Sequence, residues 1–275
     1  MTAPKVIPTV VQELLERSNR LGSQPRVTNF AGGNTSAKGK VPNPATGHET
    51  TVMWVKGSGG DLGTMTESGL ASLELDKFND LKNVYRGVDF EDEMVALFDY
   101  CRFGTSGAAP SIDTAMHGLI PFNHVDHLHP DSIIALATSQ DGEKLTRECF
   151  GDEILWVDWR RPGFQLGLDM AKIASENPKA KGCILGGHGL TTWGASSKEC
   201  EERSIDAITK AEKFIKAKGR KDPFGAKVEK YKPLDSAARK VRAAELAPYL
   251  RGVASTDTRM VGHFTDADVV LDFTQ

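Results

Sequence analysis

Short apolar segments joined by tight glycine turns constrain the fold of this 275-residue chain most strongly. The segment GCILGGHGLTTWG, at 182–194, predicts two short strands around a tight turn. Amphipathic helical patterns are interspersed with such strands along the whole chain, which is typical of an α/β fold. Because several strands are joined by short turns, the sheet need not be all parallel.

Helical periodicity and turn signals predict the order of the elements. Helices are predicted at 8–22, 89–101, 109–120, 130–139, 196–219 and 234–250. Ser111 is a candidate N-cap for the third of them. Further strands are predicted at 26–30, 50–56, 123–129, 153–159, 259–263 and 268–272. No linker rich in Pro, Gly or Ser divides the chain, so we expect one domain over 1–275, with 218–227 as the best loop candidate.

Composition and charge exclude several classes of function. With 34 basic and 37 acidic residues, the chain lacks the basic footprint of a protein that binds nucleic acid or an anionic membrane. No apolar run reaches the roughly 18 residues of a transmembrane helix, and the N-terminus lacks the apolar region of a signal peptide. The four scattered cysteines form no CxxC pair and are predicted to be reduced thiols. We therefore expect a cytoplasmic protein.

Three of the seven histidines lie in the segment HVDHLHP, at 124–130. Alternate residues of a strand point to the same face, so His127 and His129 share one face, while His124 faces the other way and is interpreted as structural. His188, flanked by glycines after an apolar strand, is the obvious third ligand for a metal. Three neutral nitrogens and an open position describe a catalytic zinc site. Alternatively, these histidines only satisfy hydrogen bonds in the core.

An acidic residue one element upstream favours the metal interpretation. Asp113 lies on the predicted helix that leads directly into the His-x-His strand. A carboxylate beside a metal with an open position can act as a base or as a fourth ligand. His117, four residues later on the same face of that helix, is the first alternative base.

Two glycine-rich segments, AGGNTS at 31–36 and KGSGG at 56–60, each follow a predicted strand. Successive backbone N–H groups in such loops can bind an anion, which makes phosphate or a carboxylate the implied ligand. Neither segment matches a Walker A or dinucleotide fingerprint, and two plain turns are an equally good interpretation. Arg160 and Arg161 in WRRPGF either join an anionic site or form an exposed structural pair. The side chains that could add donors or positive charge to the loops are Asn34, Thr35, Ser36, Ser58, Lys38 and Lys56.

Taken together, these segments resemble the class II aldolase and adducin family. The motifs that carry the resemblance stand in family order: GGNTS, KGSGG, PSIDTAMH, HVDHLHP and GGHGLTTWG. PFNHVDHLHPD, WRRPGF and LRGVASTDTRMVGHF are similar to the aldolase half of fused rhamnulose-1-phosphate aldolase/short-chain dehydrogenase proteins. The resemblance covers nearly all of residues 25–275. It implies a three-layer α/β/α sandwich around a mostly antiparallel sheet, usually assembled as a tetramer.

The resemblance also implies roles for individual residues. His127, His129 and His188 fall on the zinc positions, and Asp113 falls on the position of the catalytic acidic residue, which is Glu in the fuculose-phosphate aldolases. Ile112 stands where those enzymes have a second phosphate-binding Ser. The residues on phosphate-binding positions are Gly33, Asn34, Ser58, Gly59 and Ser111.

The implied activity is that of a metal-dependent aldehyde-lyase of carbohydrate metabolism. Such an enzyme would use Zn²⁺ to cleave a phosphorylated ketose, similar to rhamnulose 1-phosphate, to dihydroxyacetone phosphate and an aldehyde. One alternative is an epimerase of the same family, which would act on ribulose 5-phosphate without releasing a triose phosphate. The other is a non-catalytic interaction module like the adducin head, which would lack the full set of zinc ligands.

Overall fold

The computed structural model describes residues 7–105, 107–220, 225 and 232–274 of the chain. The chain divides into two compact units, residues 1–217 and 218–275. Most of the candidate loop at 218–227 lies outside the described residues. The single domain expected over 1–275 stays a prediction.

Within the described residues, seven strands form one sheet: β1 (Asn34–Pro42), β2 (Glu49–Lys56), β3 (Leu70–Glu74), β4 (His124–Leu128), β5 (Ile154–Val157), β6 (Gly182–Leu185) and β7 (Gly189–Gly194). Their spatial order is β3-β2-β1-β4-β7-β6-β5. Neighbouring strands are antiparallel except β5 and β6, which are parallel. The sheet is therefore mixed but mostly antiparallel, and the tight turn predicted within 182–194 is confirmed.

The described helices are α1 (Thr9–Gly22), α2 (Leu75–Asp80), α3 (Glu91–Leu97), α4 (Thr114–Leu119), α5 (Asp131–Ala137), α6 (Gly142–Phe150), α7 (Phe164–Glu176), α8 (Ser197–Lys218), α9 (Ser236–Ala254) and α10 (Asp268–Thr274). The long helices predicted at 8–22 and 196–219 are confirmed as α1 and α8. None of the described helices is both long enough and apolar enough to cross a membrane. The four cysteines are free thiols, as predicted.

Alternate residues of the strands supply two buried faces, and helices cover both. On one face, Ala37 and Leu190 join a core with residues of α1, α5 and α8. On the other face, Val125 and Trp193 pack with residues of α4 and α7. Because a sheet with two apolar faces must be covered on both sides, this arrangement confirms the predicted three-layer α/β/α sandwich.

A fully buried arginine ties α1 to the middle of the sheet. The Arg17 guanidinium donates to Asp126 Oδ1 (3.0 Å), Ser197 Oγ (2.8 Å) and Ser36 O (2.8 Å). It also lies 3.0 Å from Nδ1 of His124. A buried charge of this kind is tolerated only with such a set of acceptors. His124 and Asp126 thus anchor β4 from the face opposite His127, in agreement with the structural role predicted for His124.

The strand predicted at 26–30 is wrong. This segment consists of turns in which the amides of Val27 and Gly32 donate to carbonyls three residues earlier, at 2.8 and 3.0 Å. The first strand begins only at Asn34, so the first glycine segment precedes a strand instead of following one. A five-residue segment of this kind does not specify a strand by itself, because the pairing partners lie elsewhere in the chain.

The second unit, residues 218–275, is helical wherever the structure assigns it regular structure. The helix predicted at 234–250 is confirmed as α9, which begins after Asp235 as its N-cap. The strands predicted at 259–263 and 268–272 are wrong: the first segment has no regular structure and the second lies within α10. A strand exists only with a hydrogen-bonding partner, and the described sheet pairs with neither segment.

Candidate metal centre

The sheet brings three histidines from two segments together. His127 lies in β4, His129 follows the end of that strand, and His188 lies in the turn between β6 and β7. Because β7 is the antiparallel neighbour of β4, this turn lies beside the end of β4. Gly189 permits the approach, since a Cβ atom there would lie 2.7 Å from Leu128 O and 2.9 Å from Cδ2 of His129.

The three Nε2 atoms converge on one point. Nε2 of His127 lies 3.0 Å from that of His129 and 3.2 Å from that of His188, and the last two atoms are 3.2 Å apart. Three nitrogens held at about 2.0–2.1 Å by a tetrahedral ion would be about 3.3 Å from one another. Among the described residues, this is the group of His, Cys, Asp and Glu side chains that could hold a metal ion.

Hydrogen bonding fixes the tautomer that a metal requires. Nδ1 of His127 lies 3.1 Å from Leu190 O and 3.1 Å from Oγ1 of Thr191. A carbonyl oxygen can only accept, so Nδ1 carries the proton and Nε2 presents its lone pair to the other two histidines. A carbonyl or carboxylate behind a ligand histidine is the usual means of orienting it.

The surroundings keep the imidazoles neutral. Burial lowers the pKa of His127 well below its ordinary value, and the neighbouring His129 and His188 lower it further. The pKa of His129 falls to about 4, because of burial first and then of charge on His188 and Lys56. Burial also lowers the pKa of His188, against the attraction of Asp113. Neutral imidazoles at neutral pH are the form that binds metals.

Asp113 lies at the edge of the histidine group. It directly precedes α4, and its Oδ2 accepts from Nδ2 of Asn34 at 2.8 Å. Asn34 stands opposite His127 in the β1–β4 ladder, so this hydrogen bond brings the carboxylate to the face of the sheet that carries the histidine. Burial raises the pKa of Asp113, while His188, Asn34 and Lys56 oppose the rise. Asp113 and Lys56, which carry opposite charges, thus both lie within electrostatic reach of the histidine group.

His117, the alternative base, has different surroundings. It is fully buried, with Nδ1 2.8 Å from Oγ of Ser36. Its Nε2 has no hydrogen-bond partner among the described residues. Burial, reinforced by Lys38 and Arg17, lowers its pKa to about 3. We predicted that Asp113 and His117 share one face of a helix. Asp113 instead directly precedes α4, and its carboxylate is held by Asn34.

The two glycine segments approach each other near Asp113. In the second segment, the amide of Ser58 donates to Ala109 O (2.9 Å), which places residues 57–60 beside the chain that leads to Asp113. Gly59 and Gly60 both have left-handed backbones with φ of 76°, and a Cβ atom on either would meet nothing within 4 Å. Ser58 is itself exposed, so its hydroxyl is accessible to a ligand.

Ser111 is not the N-cap of α4, because the helix begins only at Thr114. The amide of Thr114 instead donates to Ser111 O (3.1 Å), so a turn precedes the first helical residue. The Ser111 hydroxyl is buried and has no hydrogen-bond partner among the described residues. A buried hydroxyl without a partner is unusual and calls for an explanation such as a ligand.

Three side chains considered as donors for the first loop are engaged elsewhere. Oγ1 of Thr35 lies 2.6 Å from Oγ of Ser18, on the α1 side of the sheet. The Ser36 hydroxyl is bonded to a buried imidazole, and Lys38 is buried with its ammonium donating to Ile120 O. Only Asn34 of this loop therefore directs its side chain toward the histidine group.

The two arginines of WRRPGF form exposed ion pairs. Arg160 Nε lies 2.6 Å from Oδ2 of Asp169, and Arg161 pairs with Asp92. This favours the interpretation of structural surface pairs over that of an anionic site. A carboxylate that sequence reasoning missed lies nearer the glycine loops: Asp61 accepts hydrogen bonds from backbone amides of two segments. The available signal was an Asp two residues before a Gly, a pattern typical of an Asx-turn.

Comparison with known proteins assigns the family. The family model for the class II aldolase and adducin N-terminal domain matches residues 12–212. A Bacillus subtilis protein named as an uncharacterized oxidoreductase, YuxG, is 37% identical over 268 residues, which are 97% of this chain but 38% of that protein. The chain thus spans little more than a third of this relative.

Solved structures of the same fold agree. The N-terminal class II aldolase domain of a conserved Thermoplasma acidophilum protein is 27% identical with a TM-score of 0.68, over 78% of this chain and 97% of that one. An L-fuculose 1-phosphate aldolase, 15% identical, shares the fold with a TM-score of 0.53 over 88% of this chain and 97% of that one. The resemblance inferred from the motifs is confirmed: the chain belongs to the class II aldolase and adducin N-terminal domain family.

Proposed function

We propose that the chain is a zinc-dependent aldolase that cleaves a phosphorylated ketose, similar to rhamnulose 1-phosphate, to dihydroxyacetone phosphate and an aldehyde. The observation that carries the proposal is the convergence of three neutral imidazole nitrogens, 3.0–3.2 Å apart, with the Asp113 carboxylate within electrostatic reach of His188. Three nitrogen ligands with room for a fourth group suit Zn²⁺ in a catalytic site. Membership of the class II aldolase family supports this choice.

The residues that would hold the metal are His127, His129 and His188. When bound, the metal supplies a Lewis acid that polarises the carbonyl of the ketose. Nδ1 of His127 stays tied to Leu190 O, so the ring keeps its orientation while substrate binds. The remaining steps depend on the chain's own polar groups.

Asp113 is proposed to move the proton at carbon. Cleavage breaks the C3–C4 bond, the C4 hydroxyl loses its proton as the aldehyde forms, and C3 receives a proton. In the reverse direction the same carboxylate removes that proton from dihydroxyacetone phosphate. Asn34 holds Oδ2 of Asp113 at 2.8 Å, which leaves Oδ1 for the transfer. The raised pKa of this buried carboxyl brings it nearer to the range in which a group can both give and take a proton.

The phosphate group is proposed to lie against the two glycine loops and the turn before α4. The partnerless hydroxyl of Ser111 and the open backbone at Gly59 support this placement. Lys56, at the end of β2, adds a positive charge close to Asp113. Anchoring the phosphate would turn binding energy remote from the reacting carbons into orientation. The proposed phosphate contacts are Gly33, Asn34, Ser58, Gly59 and Ser111.

Product analysis tests the proposal. The zinc-loaded protein is incubated with rhamnulose 1-phosphate, fuculose 1-phosphate and ribulose 5-phosphate, and triose phosphate release is followed by a coupled assay. We expect triose phosphate from a ketose 1-phosphate. Epimerised ribulose 5-phosphate without triose phosphate would assign the epimerase instead. Failure of the purified protein to retain zinc after loading, together with the absence of both reactions, would favour an interaction module.

A further inference from the structure

We propose that Asp61 is a positioning residue that holds the two glycine loops at the separation a phosphate monoester requires. The inference rests on the proposed function, because that function makes the loops the phosphate site. Asp61 itself would not touch the substrate. It would act through the backbone of the loops, and its contribution can be separated from catalysis by a binding measurement.

The contacts of Asp61 bridge two segments far apart in sequence. Oδ1 accepts from the amide of Ala31 at 2.9 Å, and Oδ2 accepts from the amide of Gly63 at 3.0 Å. Ala31 belongs to the first glycine loop, 30 residues before Asp61, while Gly63 lies just after the second loop. Each carboxylate oxygen thus accepts a hydrogen bond from one of the two segments. Hydrogen bonds to a charged acceptor are stronger than those between neutral groups.

One side of this bridge is rigid. Leu62, next to Asp61, is fully buried in the core that contains α1. Gly63 packs directly on the end of α1: a Cβ atom on Gly22 would lie 2.1 Å from Gly63 N, and one on Gly63 would lie 2.9 Å from Gly22 C. Close backbone contact of this kind fixes the base from which the carboxylate reaches the first loop.

The other side of the bridge is strained and exposed. Ala31 has a φ of 60°, and among the described residues it is the non-glycine residue with positive φ. Such a conformation is unfavourable for a residue with a Cβ atom. Burial does not hold the first glycine loop in this conformation, because Ala31 is exposed and the preceding Phe30 is 85% exposed. Two hydrogen bonds hold this backbone: the Ala31 amide donates to Asp61, and the neighbouring Gly32 amide donates to Asn29 O at 3.0 Å. Only the first of them connects the loop to another segment of the chain.

The position of the first loop matters because it leads directly into the site. Gly33 follows with a φ of 73° and a Cβ position 3.0 Å from His127 O. Asn34 comes next and bonds to Asp113. A shift at Ala31 would thus move the phosphate contacts of the first loop relative to those of the second. We expect this to weaken binding of a phosphorylated ligand while the histidine group, held by β4 and β7, is unchanged.

Calorimetric titration of dihydroxyacetone phosphate and of inorganic phosphate into the full, zinc-loaded chain tests the inference. For Asp61→Ala we expect binding to weaken about tenfold, as for the loss of hydrogen bonds to a charged acceptor. Asp61→Asn, which retains one acceptor oxygen, should lie between Asp61→Ala and the wild type. The control is Asn43→Ala, which removes a similar side-chain hydrogen bond to a backbone amide (Ala45 N, 2.9 Å) at the other end of β1. Zinc content and melting temperature are measured on every variant.

A second substitution tests the mechanism. Glycine adopts a φ of 60° without steric cost, so Ala31→Gly in the Asp61→Ala background should recover at least about twofold in affinity, the share of the loss that strain accounts for. Recovery would not follow if only the charge of Asp61 mattered. An Asp61→Ala variant with wild-type affinity for both probes, or a wild type that binds neither, would overturn the inference. The aldolase proposal is judged separately, by triose phosphate release from the wild type.

Discussion

Asp113 is held by Asn34 beside three neutral imidazoles, and its replacement by Asn tests whether it moves the proton. The amide is nearly isosteric and carries no charge to desolvate, so we expect a stability change of about 1 kcal/mol or less. Exchange of the proton alpha to the carbonyl of dihydroxyacetone phosphate with deuterated water should slow about 10²- to 10⁴-fold, because an amide cannot accept the proton. If the Asp113→Asn variant exchanges this proton at the wild-type rate and has normal zinc content, Asp113 is not the base.

The alternation along β4 predicts which histidine binds the metal. His127→Gln should weaken zinc binding by at least about 100-fold, since loss of a ligand exceeds the effect of losing its supporting hydrogen bond. His124→Gln is the matched control: it lies on the same strand but contacts Arg17 on the opposite face. It should keep one equivalent of zinc even if it lowers the melting temperature. The measurement is elemental analysis after dialysis against a chelator of known affinity, and equal zinc in both variants would contradict the site.

Lys38 makes the stability of the fold depend on pH. Burial, with a smaller effect from Lys82, lowers its pKa from 10.5 to about 7. Below pH 7 the lysine is protonated in both states, whereas between pH 7 and 10.5 the unfolded chain binds a proton that the folded chain does not. The free energy of unfolding therefore gains a contribution that rises with pH across this window.

The variant Lys38→Met should lack that rise, and denaturant unfolding at pH 7 and pH 9 measures it. Lys40→Met on the same strand is the control, because Lys40 is exposed and pairs with Glu49. It should preserve the wild-type difference between the two pH values. A Lys38→Met variant with the same pH dependence as the wild type would mean that the buried amine stays charged.

At the scale of elements, the contact between α4 and α7 depends on one glycine. A Cβ atom on Gly167 would lie 2.8 and 2.9 Å from the backbone C and O of Ala115, which cannot rotate away. Gly167→Ala is therefore expected to lower the free energy of unfolding by about 1–3 kcal/mol. The control is Gly252→Ala in α9, where a Cβ atom meets nothing within 4 Å and alanine is favoured by up to about 1 kcal/mol. The free energies of unfolding are measured by denaturant unfolding, and equal values for the two variants would contradict this close packing.

Elements with a clear internal period were predictable, and those defined by distant partners were not. The His-x-His alternation placed His127 and His129 correctly because the strand period is local to the chain. The turn around His188 was likewise visible from its glycines. The strands predicted at 26–30 and 268–272 failed because only a partner strand distinguishes such short segments from turns and helices.

The residues of the candidate site were also predictable only in part. Sequence spacing brought Asp113 close to the histidines along the chain, but the Asn34 hydrogen bond that orients it arises from the pairing of β1 with β4. The bridging role of Asp61 depends on a contact 30 residues away. Such contacts are products of tertiary structure, and a single sequence carries no periodic signal for them.

At the scale of the whole molecule, we propose a homo-oligomer, and the resemblance to the family predicts a tetramer. Four chains of 29.9 kDa each would give a particle of roughly 120 kDa. Light scattering on the zinc-loaded protein at micromolar concentration measures this mass directly. A particle near the mass of one chain would contradict the assembly.

The buried Arg17 also sets an order of events during synthesis. Its acceptors lie 19, 109 and 180 residues further along the chain. At about 5–20 residues per second, a ribosome needs about 10–40 seconds to proceed from Arg17 to Ser197. Throughout that interval the guanidinium lacks its full set of acceptors and remains hydrated. Helix α1 is thus made before every partner of its arginine, and the full set of acceptors can form only after α8 has begun to leave the ribosome.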